Sequence, residues 1–178
     1  MKEMILLKGK KVKLRAVEPS DAQLIFEWEN NEENWQLSNT LVPFSKYIIE
    51  QYVETAYKDI FETKQLRLMI DELETGNTVG SIDLFDFDPH NLRAGVGILI
   101  NESTDKRKGY ATESLNLLIA YSKERLGLRQ LYCNIGEGNS ASIKLFESCN
   151  FKKAGTKKNW ERISASEWED VLFYQIIF

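Results

Sequence analysis

Lys106-Arg107-Lys108-Gly109-Tyr110-Ala111 follows an apolar, strand-like run at residues 96–100 and opens a long segment, 109–126. In that segment Ala111, Leu115, Leu118, Ile119, Ser122 and Leu126 recur in helical phase. A strand that passes through a short polar loop into a helix gathers free backbone N–H groups and the positive end of the helix dipole at one point. Gly109 allows close approach to that backbone, and three cations add attraction for an anion such as a phosphate. The whole chain carries 23 Lys and Arg against 27 Asp and Glu, a net charge of −4, so this concentration of positive charge stands out. A solvated basic turn is the alternative reading of the same run.

Upstream of this stretch, Val12, Leu14 and Ala16 alternate with charged residues as in a half-buried strand, and Pro19-Ser20-Asp21 opens a helix carrying Leu24, Ile25 and Trp28. A second helix is expected over 45–61, with Ile48, Ile49, Tyr52, Val53, Ala56 and Ile60 in phase. Strands at 66–70 and 79–85 flank the turn signal Glu74-Thr75-Gly76-Asn77, and Pro89-His90-Asn91 leads into the strand at 96–100. Downstream the pattern alternates: strand 130–135, helix 140–149, strands 151–156 and 171–178. The expected fold class is α/β (α+β), one mainly antiparallel sheet with helices on both faces.

The length of 178 residues suits one domain without an internal boundary. With 43% apolar and 28% charged residues, the composition excludes collagen-like, disulfide-scaffold and wholly disordered classes. No apolar run approaches the ~18 residues of a membrane span, and the apolar stretch at 4–7 is too short for a signal-peptide core, so a cytoplasmic location without membrane contact is expected. The acidic balance disfavours nucleic acid and suits a cationic or small polar partner. Cys133 and Cys149 lack CxxC spacing and nearby His, which argues against a metal and makes both packing thiols. His90, the one histidine, reads as a surface loop residue.

No Walker motif occurs. A GxGxxA pattern does, as Gly136-Glu137-Gly138-Asn139-Ser140-Ala141, but too little chain follows it for a doubly wound nucleotide domain, so those glycines read as a loop leading into a helix.

The hexapeptide 106–111 resembles the [QR]xxGx[GA] pyrophosphate loop of the GNAT superfamily of acetyl-CoA-dependent N-acetyltransferases. Residues 139–151, Asn-Ser-Ala-Ser-Ile-Lys-Leu-Phe-Glu-Ser-Cys-Asn-Phe, are similar to that family's NxxSxxLYxxxGF. Arg93-Ala94-Gly95-Val96-Gly97-Ile98-Leu99-Ile100 and Lys13-Leu14-Arg15 match its central and first strands. The likeness covers essentially the whole chain and is greatest to the branch holding spermidine and ribosomal-protein N-terminal acetyltransferases.

The resemblance implies a seven-stranded sheet whose fourth and fifth strands splay to admit the pantetheine arm of acetyl-CoA, with CoA as product. Backbone groups of Ile98, Leu99 and Ile100 would meet that arm, and Lys106, Arg107, Lys108, Gly109, Tyr110, Ala111 and Thr112 would hold the pyrophosphate. Asn139 would cap the last helix and touch the arm, and Phe146 would lie beside it. Lys106 in place of Gln or Arg keeps a donor, and Asn150 replaces a helix-ending Gly with the next-best left-handed residue.

Two departures concern catalysis. Phe146 stands where many relatives place a tyrosine acid, and Gly95 stands where a strand glutamate is frequent. Ser142 is the candidate replacement acid, or simply a first-turn helix residue. A primary ammonium must lose a proton before it attacks a thioester, and Asp83 is the first candidate base, Glu33 the second. Glu29, Glu32, Glu33 and Trp35, with Glu27 and Trp28, surround the end of the first helix, where the family's acceptor site lies; acids and aromatics suit an alkylammonium chain. A solvated helix face is the alternative, and Glu50, Glu54 and Glu62 read equally as solubilising charge. The expected activity is direct transfer of acetyl to a primary amine, of a polyamine or other small molecule or of a (ribosomal) protein N-terminus, and a non-catalytic acyl-CoA-binding module is the rival. The chain's own oligomeric state, a homo-oligomer included, stays open.

Overall fold

The computed structural model describes residues 7–38, 40–101 and 108–178, and among these seven strands form one sheet. Strands β1 (Val12–Ala16), β2 (Leu66–Glu72), β3 (Thr78–Asp88) and β4 (Arg93–Ile100) make the expected antiparallel meander. β5 (Gln130–Gly136) runs parallel to β4, and the hairpin of β6 (Lys152–Arg162) and β7 (Trp168–Ile177) completes the order β1-β2-β3-β4-β5-β7-β6. The helices are α1 (Ala22–Glu29), α2 (Glu32–Ser38), α3 (Lys46–Glu54), α4 (Ile60–Thr63), α5 (Tyr110–Glu124) and α6 (Ser140–Ser148).

Strand alternation divides the core in two. Leu68 and Ile70 of β2 face Leu115 and Leu118 of α5 and Phe146 and Cys149 of α6. Met69, between them, faces Ile25 and Trp28 of α1 and Ile49 and Val53 of α3. Each of these aliphatic side chains contributes ~1.5–3 kcal/mol by leaving water. Arg15 pins α1 to the sheet: its guanidinium donates to both Asp21 oxygens, at 2.7 and 2.9 Å, and to Asp71 Oδ2 at 2.8 Å.

The single helix expected over 45–61 is two. Ser45 caps α3, accepting from the Ile48 amide, but Thr55 ends it, its hydroxyl donating to the Gln51 and Tyr52 carbonyls. Asp59 then caps α4 by accepting from the Phe61 and Glu62 amides. The break has a packing reason: Ile49 and Val53 belong to the α1–α3 core and Ile60 to the core on the other face, which one straight helix cannot serve. α2 has no counterpart in the sequence reading, and β6 runs six residues past the expected end at 156 because Lys157–Arg162 carries polar residues around a bulge rather than an apolar alternation.

The start of α5 and the end of α6 are sharply defined. Gly109 precedes α5 with φ +88°, a left-handed value that favours glycine. The Glu113 carboxylate, in the first turn of α5, accepts the amides of Lys10, Lys11 and Val12 at 2.9, 2.7 and 2.8 Å. Burial opposes its charge, but these three amides and Lys11 hold Glu113 below the usual carboxylate range. α6 ends in a Schellman motif: the Phe151 amide donates to the Phe146 carbonyl, the Asn150 amide to the Glu147 carbonyl, and Asn150 takes φ +69°. The accompanying apolar contact is the edge-on pair Phe146–Phe151, centroids 5.0 Å apart.

Candidate active site

β4 and β5 pair at only three positions, Arg93↔Gln130, Ala94↔Leu131 and Gly95↔Tyr132. Beyond them the strands part, and a cleft of about 550 Å³ opens between residues 96–99 of β4 and 133–136 of β5. Past Gly95 the β5-facing backbone edge of β4 has no strand partner, so its N–H and C=O groups are available to an extended amide chain.

The cleft passes from one face of the sheet to the other. On the α5–α6 face it is lined by Asn139, Ser142 and Phe146. The Asn139 side chain caps α6, accepting the Ser142 amide at 3.0 Å, which holds Ser142 at the opening. On the α1–α3 face the lining includes Trp28, Glu29, Arg67, Asp83 and Phe85, with Trp160, Glu161 and Glu169 from the β6–β7 hairpin. Four carboxylates against two cations, Arg67 and Lys157, make this mouth acidic. Glu161 and Glu169 stand directly opposite in register, a like-charge pair that a sheet does not favour by itself. Glu169 Oε2 accepts the Gly138 amide at 3.1 Å, and its carboxylate occupies the space where a Gly136 Cβ would be.

Asp83 is bound by a fork: Arg67 Nε donates to Oδ1 at 2.7 Å and Nη2 to Oδ2 at 3.3 Å, while Arg67 Nη1 donates to Glu29 Oε1 at 2.6 Å. Burial pushes the Asp83 carboxyl up against the pull of Arg67. Burial also works against the Arg67 charge, yet Asp83, with Tyr52 and Glu29, holds the guanidinium above its ordinary value. Gly95 has its own explanation: a Cβ there would lie 2.3 Å from Cε2 of Phe85, whose ring fills the space a longer side chain would take.

The expected site residues separate into three groups. Ile98, Leu99, Asn139, Ser142, Phe146, Glu29 and Asp83 line the one cleft. Lys108, Gly109, Tyr110, Ala111 and Thr112 lie at the start of α5, where Lys108 and Tyr110 line a second hollow of about 400 Å³ with Lys10, Lys11 and Glu72. There the Tyr110 hydroxyl donates to Glu72, and Lys11 Nζ donates to the Lys108 carbonyl at 2.7 Å. Lys106 and Arg107 lie outside the described residues. The third group does not reach the cleft: Glu32 and Glu33 are exposed on α2, Trp35 donates its indole N–H to the Glu29 carbonyl, and Ile100 packs on the α5-side core. Cys133 and Cys149 are buried, the Cys133 thiol pushed up to about 12 by burial, and His90 is exposed.

Arg67 and the Glu161–Glu169 pair escape a reading of the sequence. Arg67 is signalled only by hairpin register, which sets it across from Asp83. The glutamate pair belongs to the part of the hairpin whose polarity hid it.

Among the described residues no group of three His, Cys, Asp or Glu side chains is arranged to hold a metal, and no helix is long and apolar enough to cross a membrane. A mixed sheet parted between two parallel strands, with helices on both faces, is an acyltransferase architecture. The model of the acetyltransferase (GNAT) domain matches residues 11–152, and the chain belongs to that family of enzymes, whose acetyl donor is acetyl-CoA. Human alpha/beta-tubulin-N-acetyltransferase 9 is 28% identical over 89% of this chain and 81% of its own. An uncharacterized N-acetyltransferase, p20, of Bacillus licheniformis is 26% identical over 89% of both. Among solved structures, spermidine N-acetyltransferase from Vibrio cholerae in complex with CoA and spermine superposes with a TM-score of 0.83 at 22% identity, covering 95% of this chain and 96% of that one.

Proposed function

We propose that this protein transfers acetyl directly to the primary amine of a small cationic acceptor, a polyamine first among them. The observation that carries the reading is the gap through the sheet, with helix-end and unpaired-strand polar groups on one face and an acidic, aromatic mouth on the other. Acetyl-CoA, when bound, supplies an activated thioester whose thiol, of pKa ~8.5, leaves tolerably as a thiolate.

The residues present fit that donor. The free edge of β4 at Ile98 and Leu99 suits the amides of a pantetheine arm, Asn139 and Phe146 flank it, and the first-turn amides of α5 with Lys108 suit a diphosphate. Lys106 and Arg107 belong to the same motif. On the acceptor side Asp83 takes the proton from the incoming ammonium, with Glu29 beside it adding negative charge. Glu33, exposed on α2, yields to Asp83 in that role. Ser142, which lines the cleft, is the proposed donor of a proton to the departing sulfur; one such donor is worth ~10²–10⁴-fold in rate. The Glu161–Glu169 pair suits the remaining charge of a polyamine through ion pairing, beside Trp160, whose ring already carries Lys157 Nζ at 5.1 Å from its centroid. A cytoplasmic location and self-association belong to the same proposal; one structure of the Vibrio cholerae spermidine enzyme is dodecameric.

A protein amine is the second reading, favoured by the likeness to the human tubulin acetyltransferase. Initial rates with acetyl-CoA and spermidine, spermine, butylamine and peptide amines separate the two. The polyamines should give the highest kcat/KM, and the Glu161→Gln/Glu169→Gln double variant should raise their KM while sparing butylamine. Peptide amines turning over faster than any polyamine would replace the first reading with the second, and no turnover on any amine would sink both.

A further inference from the structure

β2 and β3 set Arg67 directly across from Asp83, and Glu29 of α1 and Tyr52 of α3 contact it from the helix side. Its three donor groups reach both Asp83 oxygens and Glu29 Oε1, and its guanidinium carbon lies 5.6 Å from the centroid of the Tyr52 ring. The Arg67, Asp83 and Glu29 side chains are 18%, 16% and 23% exposed. For stability alone such a cluster offers little over apolar side chains of similar volume. Ile25, Trp28 and Met69 form that apolar packing on the same face. What the cluster adds is two carboxyl groups fixed at the edge of the gap by one guanidinium.

We propose that Arg67 is the positioning residue of the acceptor pocket: its fork fixes the orientation of the Asp83 carboxyl group in the wall where the acceptor nitrogen arrives, and its charge opposes protonation there. This rests on the reading of Asp83 as the proton acceptor. The groups facing Asp83 are Arg67 and Gln65 on the strand side, Glu29 from α1 and Tyr52 from α3, while its partner on β4 is the uncharged Gly97. Burial and Glu29 favour the neutral acid, and Arg67 is the cation that opposes them. Without it a buried carboxyl beside a second carboxylate takes up a proton and can no longer accept one from the substrate. Lysine would preserve the charge without the fork.

The test is the pH dependence of kcat/KM for spermidine in wild type, Arg67→Gln, Arg67→Lys and Asp83→Asn, with CoA binding by calorimetry as the check on folding. Arg67→Gln should move the acid limb up by ~1–3 pH units, the effect of losing a nearby opposite charge. The KM for acetyl-CoA should not change. Arg67→Lys should keep the wild-type limb with kcat down by ~10-fold or more, from misplacement of the carboxylate. Wild-type turnover tests the transfer itself, and undiminished turnover in Asp83→Asn would remove the proton acceptor. If both stand and the Arg67→Gln limb coincides with wild type, the inference about Arg67 alone falls. Should Arg67→Gln fail to bind CoA, Arg67→Lys decides: a displaced limb overturns the proposal, and an undisplaced one with lowered kcat supports it.

Discussion

Gly95→Ala should change the sign of its effect on stability according to what stands at position 85. In the native chain an added Cβ at Gly95 would meet the Phe85 ring at 2.3, 2.5 and 2.8 Å, distances that force the ring to move. The ring has little freedom, because its edge meets Tyr132, centroids 6.2 Å apart, and Tyr132 in turn lies 5.6 Å from Phe173. Overpacking of this kind costs ~1–3 kcal/mol. Gly95 does not take a positive φ, so once the ring is removed alanine fits the strand. In a Phe85→Ala background the same substitution should therefore stabilise by ~0.5–1 kcal/mol, the ordinary gain of alanine over glycine inside a strand. Urea unfolding of the four proteins measures the cycle, and the coupling should reach the upper part of the ~0.5–3 kcal/mol seen between touching residues. Equal effects of Gly95→Ala in both backgrounds would refute the account of why a small residue stands there.

Asn139→Ala removes the α6 cap and should cost ~0.5–2 kcal/mol in thermal or urea unfolding; if Asn139 also meets the donor, the KM for acetyl-CoA rises with it. Asp21→Asn removes one of the two carboxylates that hold Arg15, with Asp71 remaining, and should cost ~1.5–3 kcal/mol, the range for a hydrogen bond to a charged group. Burial opposes the Asp21 charge, but Arg15 and the Glu18 amide hold it below the usual carboxylate range. Its contribution is therefore present above the unfolded carboxyl value and lost as pH falls through the folded one, so urea midpoints of Asp21→Asn and wild type should converge on acidification from neutral pH. Cys149→Ala should leave turnover largely unchanged and the native thiol should react slowly with a disulfide reagent, because burial pushes that thiol up.

The fold was legible where apolar periodicity and turn chemistry agreed. The meander, α5, β5 and α6 followed from apolar residues at strand or helix spacing bounded by Gly76, Gly109 and Asn150. Periodicity misled at 45–61, where Ile60 kept the helical phase but served the other core. The residues expected to meet the donor could be read because they sit in short runs of chain: Ile98 and Leu99, with Asn139, Ser142 and Phe146, line the cleft, and 108–112 open α5. The acidic mouth of the cleft could not be read, because it is assembled from α1, β2, β3 and the β6–β7 hairpin. Acidic residues near α1 in sequence, Glu32 and Glu33, ended on the surface, while Arg67 and Glu169 arrived through strand pairing.

The grip of Glu113 on the Lys10, Lys11 and Val12 amides joins the opening of α5 to a turn 103 residues earlier at its farthest bond. Those three bonds tie the first turn of α5 to the N-terminal turn, far from it in sequence. Trimming the protein to begin at position 12 would remove two of the three amides that hold Glu113, those of Lys10 and Lys11, and so loosen the tie between the N-terminal turn and α5.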